Sequence, residues 1–466
     1  MWSIMKLMQK ALSISIVAFA ALAGVPTYAA APKEDYVQAP MPPGFQVIVS
    51  EVEGPVFTNA EGRTLYMWPK RARRSGLQVG DEVGVSSCGN EVVRETSGGA
   101  SPYAAGFELP GNDTRPACTQ VWPPVYAAAD AKPVGRWSVI KRTDGRMQWA
   151  YDRRALYTSV LDKQPGDVFG GTNLPSQGEG GGERKPVGPK SNVPAQFAVH
   201  TTMTGRFVTV RSGHSVYTYD GDGRNKSNCK DACLDEWSPV LAAASSESVG
   251  EWTNFERVPG IHQWAFRGRP VYLRQTDLEE GERVNADVPG WHNVFTQMVP
   301  APPKDFAMKA TLVGTGLGDS KGMTVYRYIC VEDGIDNLGC DTPNDQQIYR
   351  FAMCGGGDPD LCVKTFPYVI APVGAKTGNR VWGTMYIDPK TGKRTEDKAS
   401  GALNVWTFRD RPVYTFAGYR GYGDSNPSEL KAHGWGEGNA GYNGYMAMIY
   451  RDGTGDKRDG SIGGYR

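Results

Sequence analysis

HQWAFRGRPVY, residues 262–272, reads as two short strands around a tight Arg267-Gly268-Arg269 turn, and it has two counterparts in the chain. QWAYDRRALY occupies residues 148–157 and NVWTFRDRPVY residues 404–414. Each copy sets Trp, a second aromatic, Arg and Tyr at one internal spacing: Trp149, Tyr151, Arg154, Tyr157; Trp264, Phe266, Arg269, Tyr272; Trp406, Phe408, Arg411, Tyr414. Side chains alternate along a strand, so Trp264 and Phe266 share one face and Ala265 takes the other. The turn then returns the chain through Pro270 and Val271 to Tyr272, which is the pattern of an antiparallel hairpin.

Working outward, four further landmarks recur in the same order. FQVIVS starts at Phe45, FAVHTT at Phe197 and FAMKAT at Phe306, each after a proline-bearing connector. Tyr66-Met67-Trp68, Tyr217-Thr218-Tyr219 and Tyr326-Arg327-Tyr328 follow; then come WPPV at Trp122, WSPV at Trp237 and FPYV at Phe366. A Trp-bearing strand (GRWSVIKR, GEWTNFER, RVWGTMYI) precedes each copy of the opening motif. The order predicts three tandem repeats, at 45–196, 197–305 and 306–450. The middle one is minimal. The first carries an insertion at 71–115 and a Gly-rich linker at 170–191; the third carries an insertion at 330–361, and residues 451–466 read as a flexible tail.

The runs between turn signals alternate or are β-branched and aromatic, and no window sustains a helical period apart from a turn at NCKDACLDEW. The expected class is all-β, built of antiparallel hairpin repeats. A pseudo-threefold barrel, a propeller-like ring or a row of beads would each accommodate them.

The first residues place Lys6 and Lys10 before the apolar run Ala11 to Val25 and the small residues TYAAAP, the pattern of a signal peptide over residues 1–30. The run is too short to favour spanning a bilayer, and no later stretch approaches the required length. The expected location is therefore secreted or periplasmic. With 51 basic and 50 acidic side chains, the chain has no electrostatic footprint for nucleic acid.

The chain has eight cysteines, an even number, and an exported chain meets an oxidising compartment, which favours disulfides. Cys118, Cys233 and Cys362 each lie four residues before the Trp or Phe of the WPPV-type segment, so they are equivalent. Equivalence predicts Cys229 with Cys233, Cys88 with Cys118 and Cys354 with Cys362, leaving Cys330 with Cys340. No histidine stands at ligand spacing from Cys229 or Cys233, and no Cys-x-x-Cys-His occurs, so neither a metal nor a cofactor is expected.

These landmarks resemble a bacterial family of secreted repeats of unknown function, predicted lipoproteins with a Tyr-x-(Phe/Trp/Tyr)-x-x-Asp motif. VYTYDGDGRNKSNCKDACLDEWSPV carries the likeness most fully, with Tyr217, Tyr219 and Asp222 in the motif and Cys229, Cys233 and Trp237 behind it. Tyr157 with Asp162 and Tyr272 with Asp277 keep the Tyr and Asp but have Ser159 and Arg274 at the middle position. Arg71 and Val331 replace the Asp in the outer repeats. The resemblance implies export and no established activity. A lipid anchor is not expected, because Val25 stands where a lipobox needs Cys.

No Gly-x-Ser-x-Gly elbow, His-Glu-x-x-His, Walker loop or dinucleotide fingerprint is present. Two readings of the opening motif follow. In one, its aromatics fill the core. In the other, Trp149, Arg154, Tyr157, Tyr217, Tyr219, Asp222, Trp264, Arg269, Tyr272, Trp406, Arg411 and Tyr414 line a groove for an envelope protein, a glycan or a small aromatic ligand. The expected role is a non-catalytic, cell-envelope binding protein. A secreted enzyme acting on a polysaccharide or aromatic compound would use Asp222, Tyr217 and His262, near His214 and His292. A redox or metal-handling accessory protein is the third possibility.

Overall fold

Each of the three Phe landmarks opens an antiparallel hairpin. The computed structural model describes residues 34–68, 72–74, 77–79, 83–92, 108, 116–170, 185–201, 205–277, 288–311, 314–328, 343–344, 346–396, 399–418, 441–442 and 445–448. In it Gln46–Ser50 pairs with Gly54–Thr58, Phe197–Thr201 with Gly205–Val210, and Phe306–Thr311 with Gly314–Asp319.

The Trp strands form the second hairpins. Trp137–Lys141 pairs with Met147–Tyr151, Trp252–Val258 with Ile261–Phe266, and Trp382–Ile387 with Leu403–Phe408. Their registers agree: Trp137 faces Tyr151, Trp252 faces Phe266 and Trp382 faces Phe408. The turn into the last motif strand holds two consecutive left-handed residues in all three places: Asp152 and Arg153 (φ 48° and 62°), Arg267 and Gly268 (51° and 78°), Arg409 and Asp410 (51° and 60°). That geometry matches the twist of the flanking strands. It costs more at Asp and Arg than at Gly, so the packing of each hairpin must outweigh local preference.

Two further pairings bind each segment together. Tyr66 faces Tyr157, Tyr217 faces Tyr272 and Tyr326 faces Tyr414. A late strand then returns to the first hairpin: the N–H groups of Val187, Val294 and Met448 donate to the carbonyls of Leu65, Val216 and Val325 at 2.8, 2.9 and 2.8 Å. The architecture is all-β, with separate sheets of two to seven strands and no closed barrel among the described residues.

Several details differ from expectation. Residues 185–191 are not linker: Lys185–Pro186 pairs with Tyr66 and Met67, and Val187 is buried. The first insertion holds a small hairpin, Ala72–Arg74 with Leu77–Val79. The third holds a helix at Ile348–Gly355 and the start of another at Pro359–Thr365, while the turn expected in the middle segment is a 3-10 helix at Asp231–Asp235. The second helix had a readable start signal: the Asp358 side chain accepts from the N–H groups of Asp360 and Leu361, with Pro359 in the first turn.

Disulfides join Cys88 to Cys118, Cys229 to Cys233 and Cys354 to Cys362. Cys330, Cys340, the signal segment and the 451–466 tail lie outside the described residues. No helix among the described residues is long and apolar enough to cross a membrane.

The core repeats as an aromatic triad. Phe45 stacks on Trp137 at 4.9 Å, Phe197 on Trp252 at 4.1 Å, and Phe306 meets Trp382 at 4.8 Å. The segments also touch one another. Arg409 donates to Glu53 at 2.8 Å, and Gln297 Nε2 donates to the Ser50 carbonyl at 2.6 Å. One apolar cluster takes Val52, Val56, Val168 and Val299 together with the core of the third segment.

Candidate functional site

The motif tryptophans turn inward. Trp149, Trp264 and Trp406 are only 9%, 3% and 3% exposed. They lie edge-on to Phe45, Phe197 and Phe306 at 5.8, 6.2 and 5.7 Å, because strand alternation puts them on the face that the first hairpin covers. Trp264 satisfies its indole N–H on Gln196 Oε1 at 2.9 Å. The groove reading is corrected for these three side chains: they are packing residues.

The tyrosines build a second layer. Tyr157, Tyr217, Tyr272 and Tyr414 are buried, and in the middle segment their hydroxyls are exchanged across the strand pair. Tyr217 donates to Asp277 Oδ2 at 2.7 Å, while Tyr272 donates to Asp222 Oδ2 at 2.7 Å. Each Tyr-x-x-x-x-Asp stretch thus reaches the tyrosine of the other, which follows from Tyr217 and Tyr272 being direct antiparallel neighbours. In the first segment Tyr66 donates to Asp162 Oδ2 at 2.8 Å, and the Tyr157 hydroxyl bonds Ser86 at 2.9 Å.

Burial raises the Tyr217 phenol well above its usual range, with Asp277 adding to the effect. Burial pushes Tyr272 up to about 12, opposed by Ser227 and reinforced by Asp222. Both therefore stay O–H donors at neutral pH and are poor bases. Asp162 is pushed up to about 7 by burial, against the bonds from Tyr66 and the Phe169 N–H.

An arginine, buried in the first segment and partly buried in the middle one, completes the layer. Arg142 bridges Ser86, Gln148 and the Cys88 carbonyl at 2.7, 2.7 and 2.6 Å. Arg257 holds Ser227, Gln263 and the Cys229 carbonyl in the same way. The signal missed in the sequence was Gln at the residue before the motif Trp, paired with Arg five residues after the preceding strand Trp. In the third segment Ile387 and Val405 take those places, and the buried arginine is Arg350, supplied by a helix.

The other candidates scatter. Arg411 is buried and donates to the Arg409 carbonyl at 3.1 Å, Arg154 is partly buried, and Arg269 is exposed. His262 bonds Asn254, His214 bonds Ser212 and His292 bonds Asp220, so the three histidines do not converge. Among the described residues no group of three or more His, Cys, Asp or Glu could hold a metal. An exposed polar rim does assemble: Asp220 accepts from Arg269 at 2.7 Å and contacts His292 Nε2 at 2.8 Å, beside Tyr219, which stacks on Trp291 at 4.7 Å. His292, with Arg269, holds the Asp220 carboxyl below its usual range. Asp220 and Arg269 flank the Tyr–Asp exchange without entering it.

One equivalent position faces outward in all three segments. Tyr126, Leu241 and Ile370 pair with Gln148, Gln263 and Val405 beside the motif strand. They are 42%, 54% and 57% exposed.

Residues 138–173 and 198–241 match a family described as a secreted repeat of unknown function. The first match covers the Trp hairpin through Asp162, and the second runs from the Phe hairpin through Tyr217, Asp222 and the Cys229–Cys233 bridge. Comparison with curated proteins and with solved structures returns no match.

Proposed function

We propose that this chain is an exported cell-envelope repeat protein that binds a protein partner and does not itself catalyse a reaction. The observation that carries the reading is the edge position shared by Tyr126, Leu241 and Ile370. A single exposed apolar side chain is ordinary, but the same register position left apolar and solvent-facing in three segments is a spaced set of anchors. The polar groups that a hydrolytic mechanism would recruit are engaged elsewhere. Tyr217 with Asp277, Tyr272 with Asp222 and Tyr66 with Asp162 hold strands to one another. Export is supported by the signal-like first residues and by the family's description as secreted.

The test replaces Tyr126, Leu241 and Ile370 with Glu together. Chemical cross-linking in the intact envelope is expected to give a discrete adduct with the native chain that the triple variant lacks, with the Tm within about 3 °C. An unchanged adduct overturns the assignment.

A second reading draws on the exposed Asp220, His292 and Arg269 rim, where a carboxylate orients an imidazole that reaches solvent. Turnover of a polysaccharide or an aromatic compound that Asp220→Asn abolishes, with Tyr126, Leu241 and Ile370 intact, would establish the enzyme instead.

A further inference from the structure

Arg350 is completely buried, and no carboxylate among the described residues hydrogen-bonds it. A buried guanidinium is costly unless an anion or a dense set of acceptors compensates it. Here its Nη atoms meet the Tyr368 hydroxyl, the Tyr445 hydroxyl at 2.8 Å and Cys362 Sγ at 3.6 Å, while Nε has no hydrogen-bond partner. The guanidinium also lies 5.1 Å from the centre of the Tyr414 ring. These partners are neutral, and one of them is half of a disulfide.

The helices carrying the two sulfurs approach closely at Gly355, where a Cβ would stand 2.9 Å from the Cys362 backbone nitrogen. That approach brings the Tyr445 hydroxyl 3.5 Å from Cys354 Sγ and 3.6 Å from Cys362 Sγ. Cys354 lies 3.0 Å, sulfur to oxygen, from the Arg350 carbonyl one helical turn earlier. Cys362 is fully buried, whereas Cys354 is partly exposed. The other two described bridges lack this setting. Arg142 and Arg257 lie beside Cys88 and Cys229 but donate to their carbonyls.

We propose that Cys354–Cys362 is a thiol–disulfide exchange site, with the buried Arg350 guanidinium as the waiting counter-ion of a Cys362 thiolate. The co-reactant is a small thiol. Its thiolate attacks the accessible Cys354 Sγ, an S–S bond forms there, and the Cys354–Cys362 bond breaks with its electron pair leaving on Cys362 Sγ. Arg350 and the Tyr445 O–H stabilise that thiolate, and a stabilised leaving thiolate speeds exchange. A second thiolate attacks the outer sulfur of the mixed disulfide and releases the oxidised small-thiol dimer. Cys354 leaves as a thiolate, takes a proton from water, and its S–H donates to the Arg350 carbonyl. Two thiols are oxidised and one protein disulfide is reduced. Among the described residues only the third segment has this arrangement, so the segments differ in chemistry while sharing a frame.

The probe is glutathione, applied to the folded full-length chain over a graded series of reduced-to-oxidised ratios, with alkylation and peptide mass spectrometry locating each opened bridge. Cys354–Cys362 is expected to open at a ratio at least about tenfold lower than Cys88–Cys118 and Cys229–Cys233, with glutathione trapped on Cys354 and the circular dichroism unchanged. Arg350→Met is expected to move its opening toward that of the other two. Should that variant fail to fold, Tyr445→Phe, which keeps the ring, is expected to shift opening in the same direction, and the unaltered chain still gives the comparison among bridges. Three bridges opening together, glutathione on Cys362, or variants that fold and open as the unaltered chain does would overturn the proposal.

Discussion

Asp162 shows how one carboxylate can be structural without being a salt bridge. It accepts from Tyr66 and from the Phe169 N–H at 2.8 and 2.9 Å, yet burial dominates and raises its pKa to about 7. In the unfolded chain an Asp ionises near its ordinary value of about 3.9. Between those two values the folded state holds the proton that the unfolded state has lost, so stability falls as pH rises from about 4 to about 7 and levels off above. Asp162→Asn removes that dependence. Relative to the native chain, the variant is expected to gain on the order of 2 kcal/mol between pH 5 and pH 8 in urea unfolding. A constant difference would place the proton elsewhere. The aspartates of the repeated motif were visible in the sequence, but their partners were not. Tyr217 pairs with Asp277, sixty residues away, and not with Asp222 of its own motif.

At the level of the element, the motif hairpin is held by its buried face and not by its turn, since Arg267, Arg409, Asp152, Arg153 and Asp410 all occupy a left-handed conformation that their side chains disfavour. Trp264 packs on that face in the middle copy, lying against Phe197 and bonding Gln196. Trp264→Ala is expected to cost about 3–5 kcal/mol, a loss read directly from the denaturation midpoint. A variant that kept its midpoint while losing partner cross-linking would return the Trp to a binding surface. Hairpins were legible because alternation and turn residues are local signals. The helix at Ile348–Gly355 was not, because eight residues among glycines carry little periodicity and its stability comes from Arg350, Phe351 and Cys354 packing into the third segment.

Across the whole molecule, the described part of Pro32–Arg466 belongs to one compact unit, and direct side-chain contacts tie its segments together. Arg409, in a motif turn, donates to Glu53 at the tip of the first hairpin, with side chains only 11% and 16% exposed. Partial burial raises such a pair above the usual surface value. A double-mutant cycle with Arg409→Gln and Glu53→Gln is expected to give a coupling of about 1–2 kcal/mol in urea unfolding. A coupling near zero would mean that apolar contacts such as Val52 and Val168 against the third segment join the two alone.

The sequence by itself determined the class, the three hairpin landmarks and the cysteine pairing within the described residues, because alternation, turn chemistry and spacing are written locally along the chain. Only the tertiary structure decided that the motif tryptophans are packing residues, that the Tyr–Asp motifs exchange partners, that Val187 returns to the first hairpin, and that Arg350 lies against a disulfide. Those outcomes depend on which distant strands become neighbours and on how much water they exclude, and neither is encoded in any single stretch of residues.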